Sequence, residues 1–130
     1  MGLLSVIAAA LGSFVFGSIW YSILAKQWMA ASGVEVVDGA PANQKDPLPY
    51  ITGIIASILV AGMMRHAFAT GGVDTLAKGI MSGFGIGLFL VSPWIITCYG
   101  FAGRPRQLMV IDAGYATFGC TVMGVILMLL

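Results

Sequence analysis

The charged residues of this chain leave four long gaps, for residues 1–25, 47–64, 79–103 and 113–130 carry none. A helix needs roughly 20 mostly apolar residues to cross a hydrocarbon core about 30 Å thick, and it must satisfy its backbone N–H and C=O groups internally. Each gap, with its borders, supplies one such helix. Only 8% of the 130 residues are charged and 59% are hydrophobic, a balance suited to a bilayer. The predicted fold class is an all-α integral membrane protein, a four-transmembrane-helix bundle. Its spans fall at about 3–24, 48–64, 75–101 and 107–130, in a single domain over 1–130. Ala8-Ala9-Ala10 resembles a small-residue cleavage site. No Lys or Arg precedes it and the apolar run continues past it, so a true first span is expected.

Four crossings put both termini on one side. Lys26, Lys45, Arg104 and Arg106 flank the first and third loops, against Arg65 and Lys78 on the other face. That excess predicts cytoplasmic first and third loops in a multi-pass protein of the bacterial inner membrane. Cys98 and Cys120 fall at different depths of different helices, so no disulfide is expected and both read as packing residues.

The connection from Lys26 to Pro47 is the one sizeable segment outside the spans. Gln27-Trp28-Met29-Ala30-Ala31 can continue the first helix into the interface. Ser32-Gly33-Val34-Glu35 has capping-box spacing and predicts a short surface helix after it. Asp38-Gly39 and Ala40-Pro41 signal turns. Asp46 is suited to cap the second span, with Pro47 at its first position. Thr70-Gly71-Gly72 predicts a tight turn, and Asp74 is expected to cap the third helix and to pair with Lys78 one turn on. Pro93 predicts a kink inside the third span, where it lacks an N–H and crowds the Phe89 carbonyl. The short link Gly103-Arg104-Pro105-Arg106 makes the third and fourth helices antiparallel neighbours.

Small residues recur at four-residue spacing, which lets helix backbones approach closely in lipid. The clearest series is Gly79, Gly83 and Gly87; Gly53 and Ser57 mark the second span and Gly17 the first. Two readings stand for these positions, packing within the bundle and contact with another chain.

Asp112 is the most telling single residue, an acid about two turns inside the fourth span, where an ionisable group marks a functional site by default. Its structural alternative is a buried acid paired with Arg104 or Arg106 or hydrogen-bonded to an aromatic N–H or O–H. Trp20, Tyr21, Tyr50, Trp94, Tyr99 and Tyr115 all fall in the same half of the membrane. Part of this is an aromatic belt at the headgroups. Trp94 and Tyr115 sit deeper than a belt requires, which predicts a polar pocket open toward the first loop, with Asp112 at its floor and Arg104 at its mouth. Arg65, His66, Asp74 and Lys78 cluster at the other face, where the basic residues snorkel to phosphates. No paired carboxylates, histidine pair, Cys-x-x-Cys, nucleophile elbow or phosphate loop is present. Gly83-Phe84-Gly85-Ile86-Gly87 lies within a span and reads as helix packing.

Several of these residues form a recognisable set. Gly17-Ser18-Ile19-Trp20-Tyr21-Ser22, Trp28-Met29, Gly103-Arg104-Pro105 and Ile111-Asp112-Ala113-Gly114-Tyr115, leading into Met123-Gly124-Val125-Ile126-Leu127, resemble a bacterial family of small four-span membrane proteins catalogued only as a domain of unknown function. The resemblance covers nearly the whole chain. It implies a four-helix membrane fold and carries no activity, cofactor or residue role.

The leading functional expectation is a non-enzymatic accessory or structural subunit that docks on other membrane proteins or on itself as a homo-oligomer, within the lipid bilayer, with no cofactor, no metal and no nucleic acid. The runner-up is a small-solute carrier or channel acting as a homo-oligomer, with Asp112 in its pathway and Trp20, Trp94 and Tyr115 lining it. Third stands binding of a lipid, quinone or pigment against the aromatic cluster.

Overall fold

The computed structural model describes residues 2–130. Four helices are long and apolar enough to cross a membrane, Gly2–Ile23, Leu48–Thr70, Leu76–Phe101 and Arg106–Leu129. They form a four-helix bundle.

The first, α1 (Gly2–Ile23), breaks at Leu24 and resumes as the short helix α2 (Ala25–Ser32). Gly33 ends α2 in the left-handed region, at φ 71°. The expected surface helix after Ser32 does not form. Ser32 is the last residue of α2, and its hydroxyl accepts from the Val34 N–H at 3.3 Å instead of starting a new helix. A two-residue hairpin follows, with β1 (Val36–Val37) antiparallel to β2 (Ala40–Pro41). Asp38 and Gly39 turn it, both at positive φ (52° and 77°). Two consecutive positive φ values are what a tight hairpin turn requires, and Asp-Gly is the pair that supplies them most readily.

Asp46 then caps the second span, its carboxylate accepting from the Leu48 N–H at 3.0 Å. That span, α3 (Leu48–Thr70), runs past Met64, with Arg65, His66 and Thr70 exposed along its last turn and a half. The third helix is capped by Thr75 rather than Asp74: the Thr75 hydroxyl accepts from the Lys78 N–H at 3.2 Å. Asp74 instead pairs with the Lys78 ammonium at 3.0 Å, which holds its carboxyl below the usual range.

The third span has three parts, α4 (Leu76–Ile86), a π-helical turn (Gly87–Val91) and α5 (Ser92–Phe101). The wide turn ends just before Pro93, whose ring would crowd the carbonyl one turn back in a regular helix. After Gly103, at φ 71°, the chain reverses into α6 (Arg106–Leu129).

Helices α1 and α6 form the middle of the bundle. α6 packs on α1 and along the whole third span, while α3 leans chiefly on α1. The third-span seam is set by glycines. A Cβ on Gly83 would lie 2.5 Å from the Cys120 carbonyl oxygen, and one on Gly87 2.5 Å from Thr117 Cα. One on Gly79 would strike the Met128 side chain and one on Gly124 the Gly79 carbonyl. In lipid, where apolar burial drives little, such backbone contact and its dispersion energy hold helices together. Ser92 continues the seam: its Oγ lies 3.0 Å from both Thr117 Oγ1 and the Ala113 carbonyl.

The interior is built in two unlike halves. Away from the first loop, Val6, Ala9 and Ala10 of α1, Ala61, Met64 and Phe68 of α3 and Cys120, Met123 and Leu127 of α6 make a continuous dry core. Toward the first loop the helices enclose polar and aromatic groups around an open space.

Candidate functional site

That space is a cavity of about 840 Å³. Phe14, Gly17, Ser18, Tyr21 and Ser22 of α1 form one wall, continued by Ala25, Trp28 and Met29 of α2. Ile95 and Tyr99 of α5 and Asp112 and Tyr115 of α6 face them. Pro49 and Tyr50 of α3, with hairpin and loop residues Gly39, Ala40, Pro41, Asn43 and Gln44, surround the mouth. Tyr50 steadies the loop by donating its hydroxyl to the Gln44 carbonyl at 3.0 Å.

Asp112 accepts two short hydrogen bonds. Tyr21 donates to Oδ1 at 2.5 Å and Tyr99 to Oδ2 at 2.6 Å. Both carboxylate oxygens are thus engaged, each by one tyrosine hydroxyl. Chain direction explains the convergence. Helical side chains lean toward their helix N-terminus. α1 and α5 run toward the first loop, so Tyr21 and Tyr99, each near its helix end, lean inward. α6 runs the opposite way, so Asp112, about 9 Å along it by the helical rise, leans outward to meet them.

The aromatic rings around the carboxylate pack at steep angles. Tyr21 meets Tyr115 edge-on, with centroids 5.3 Å apart at 64°, and Trp28 at 6.2 Å and 80°. Tyr115 in turn stacks on Phe16 at 6.3 Å. Gly17 makes room for this ring: a Cβ there would come 2.7 Å from Tyr115 Cε1.

No described lysine or arginine lines the cavity. Among the described residues the one ion pair is Lys78–Asp74, and the partners of the Asp112 carboxylate are hydroxyls rather than a cation. No group of three His, Cys, Asp or Glu gathers among the described residues. A single carboxylate with neutral neighbours is suited to charge recognition and hydrogen bonding, and it lacks a nucleophile–base pair.

Of the residues singled out in the sequence, the structure brings Asp112, Tyr21, Tyr99 and Tyr115 together and takes three elsewhere. Trp20, one residue from Tyr21 and thus about 100° around α1, packs in the α1–α6 interface. Its Nε1–H donates to the Ile111 carbonyl at 3.0 Å, over Gly114, where a Cβ would come 2.6 Å from the indole. Trp94 is 70% exposed on the outer face of α5. Arg104 donates to the Ser32 carbonyl, tying the third loop to the end of α2 rather than standing at the cavity mouth. Gly79, Gly83 and Gly87 are taken up by α6, Gly17 by Tyr115 and Ser57 by burial on α3, while Gly53 makes ordinary contact with Phe14 at 3.5 Å.

Phe14, Ser18, Ser22, Trp28 and Asn43 line the cavity without having been singled out as site residues. The signal was present: Phe14, Ser18, Tyr21, Ala25 and Trp28 recur every three or four residues, one continuous stripe across the Leu24 break.

Fold and site together define a class, a four-span helical membrane protein with a tyrosine-held carboxylate inside one half of its bundle. More narrowly, residues 4–128 match the family described as "Protein of unknown function (DUF1761)", and the chain belongs to that family. Comparison with curated proteins and with solved structures finds no match.

Proposed function

We propose that this protein is a non-enzymatic carrier that takes a small solute from the first-loop side into the cavity above Asp112. The observation that carries the reading is the bidentate seat of Asp112 between Tyr21 and Tyr99 beneath about 840 Å³ of space. A half-buried acid inside a span is costly, and placing it at the floor of a cavity gives the cost a use. The size suits a small ligand, and the dry core beyond it closes the far side. The excess of Lys26, Lys45, Arg104 and Arg106 supports a cytoplasmic mouth in a bacterial inner membrane.

The test is a thermal-stability screen of the full chain in mild detergent against small cationic, neutral and anionic solutes, repeated with Asp112→Asn. The expected result is stabilisation of the parent protein by one solute class and its loss in the variant. A screen in which no class stabilises the parent protein ends the reading.

A second reading, an accessory subunit or homo-oligomer, is favoured by the outer face of the third span. Phe89, Trp94 and Phe101 project there at 76%, 70% and 93% exposure. Trp94 lies about 10 Å inside the span end by the helical rise, where an indole N–H finds little water. Native mass spectrometry of the protein extracted from its own membrane tests this, and a bare monomer in that extract removes it.

A further inference from the structure

We infer that the solute is a small organic ammonium ion, seated with its cationic nitrogen against Asp112 and its body among the aromatic rings. The inference rests on the carrier reading and names the ligand class of the same cavity.

The first reason is charge. Among the described residues Asp112 is the one carboxylate lining the cavity, and no cationic side chain lines it. An anionic solute would meet an uncompensated negative charge in a low-dielectric setting, and a neutral solute would leave that charge without a counter-ion. The two tyrosine hydroxyls occupy one acceptor direction on each oxygen and leave the others free for a ligand.

The second is the kind of cation. Calcium and magnesium take several hard oxygens at short range, and the cavity offers one carboxylate. It offers aromatic surface instead. Tyr21 stands at 64° to Tyr115 and 80° to Trp28, so the three rings form walls at angles rather than a flat stack. Ring faces attract a cation through their quadrupole, most strongly in indole, and angled walls let one nitrogen meet more than one face. A weakly hydrated organic ammonium uses both features, with the carboxylate neutralising its charge and the rings replacing its hydration. Asn43 adds a side-chain amide at the mouth for substituents, and Ser18 and Ser22, whose hydroxyls donate to the Phe14 and Ser18 carbonyls, add acceptor oxygens along the wall.

The experiment is calorimetric titration of the full chain in neutral detergent with benzyltrimethylammonium, benzylamine, benzyl alcohol and benzoate. The expected result is saturable binding of the two cations with neither the alcohol nor benzoate binding. Asp112→Asn is expected to weaken cation binding by roughly tenfold or more, as for a charge-assisted contact. Trp28→Ala leaves the carboxylate and its tyrosines intact and is expected to weaken it by roughly threefold to tenfold, with Trp28→Phe retaining most of the affinity. Trp28 sits outside the membrane core on α2, so this pair stands even where Asp112→Asn fails to fold. Binding of benzyl alcohol or benzoate in preference to the cations overturns the ammonium inference while leaving a ligand cavity. No binding by any of the four overturns the inference, and the wider solute screen then decides the carrier reading separately. Cation binding unchanged by Trp28→Ala, and by Asp112→Asn where that variant folds, also overturns the inference by placing the site elsewhere.

Discussion

At the scale of single residues, the two tyrosines on Asp112 are not equivalent. Tyr21 packs against the rings of Tyr115 and Trp28 and is the more enclosed of the two, whereas Tyr99 is the more open. Tyr21→Phe leaves Asp112 Oδ1 without its donor where water reaches poorly. A hydrogen bond to a charged group contributes roughly 1.5–3 kcal/mol, so Tyr21→Phe is expected to fall in that range and Tyr99→Phe below it. Denaturant titration in detergent, followed by helical circular dichroism, measures both; equal costs would mean that the two oxygens are equally wet. Asp112 itself was legible from sequence, because an acid between uncharged stretches has few structural excuses. Its partners were legible only as a group of aromatics in one half of the membrane. Trp20 and Tyr21 are adjacent in sequence and about 100° apart on the helix, and nothing in a single sequence says which of them faces the acid.

The third span shows how one turn of backbone decides which side chains face inward. In a regular α-helix Trp94, seven residues after Gly87, returns to the glycine face, about 20° away. The buried positions are instead Gly79, Gly83, Gly87 and Ser92, at spacings of four, four and five. The five-residue step is the π-helical turn, in which the Ser92 N–H reaches the Gly87 carbonyl. It brings Ser92, Ile95 and Tyr99 onto the inner face and turns Trp94 out. Pro93 announced a disturbance there, but its direction depends on the backbone register and not on the proline. The glycine seam before it gives a paired test. A methyl on Gly83 meets the Cys120 carbonyl, whereas one on Gly85 meets nothing within 4 Å. Gly83→Ala is therefore expected to destabilise the bundle by about 1–3 kcal/mol through overpacking of two backbones. Gly85→Ala is expected to be neutral or to add up to about 1 kcal/mol from helix propensity. Thermal melts of the two variants decide it, and a Gly83→Ala protein as stable as Gly85→Ala would mean that the α4–α6 seam is not closely packed.

Across the whole molecule, the two halves of the bundle divide the work. The dry half is built from residues of low volume on α1, Ala9 and Ala10, filled by Met64, Phe68, Met123 and Leu127 from its neighbours. It packs the helices together beyond the cavity. The other half spreads around the cavity, whose mouth is surrounded by the hairpin and by Asn43 and Gln44. Access to Asp112 is therefore one-sided, and the side is fixed by the orientation of the chain. Lys26 and Lys45 in the first loop, with Arg104 and Arg106 in and beside the third, outnumber Arg65 and Lys78, so the mouth is expected to face the cytoplasm. A single reporter cysteine at Asn43, with Cys98→Ser and Cys120→Ser removing the native thiols, makes this measurable. A membrane-impermeant maleimide is expected to label Asn43→Cys in inverted vesicles and to leave it unlabelled in intact cells. Adding benzyltrimethylammonium to the vesicles is expected to slow that labelling, because Asn43 lines the same mouth that the cation must pass. Labelling in intact cells would reverse the orientation and make the cavity an external one, with the dry core then facing the cytoplasm.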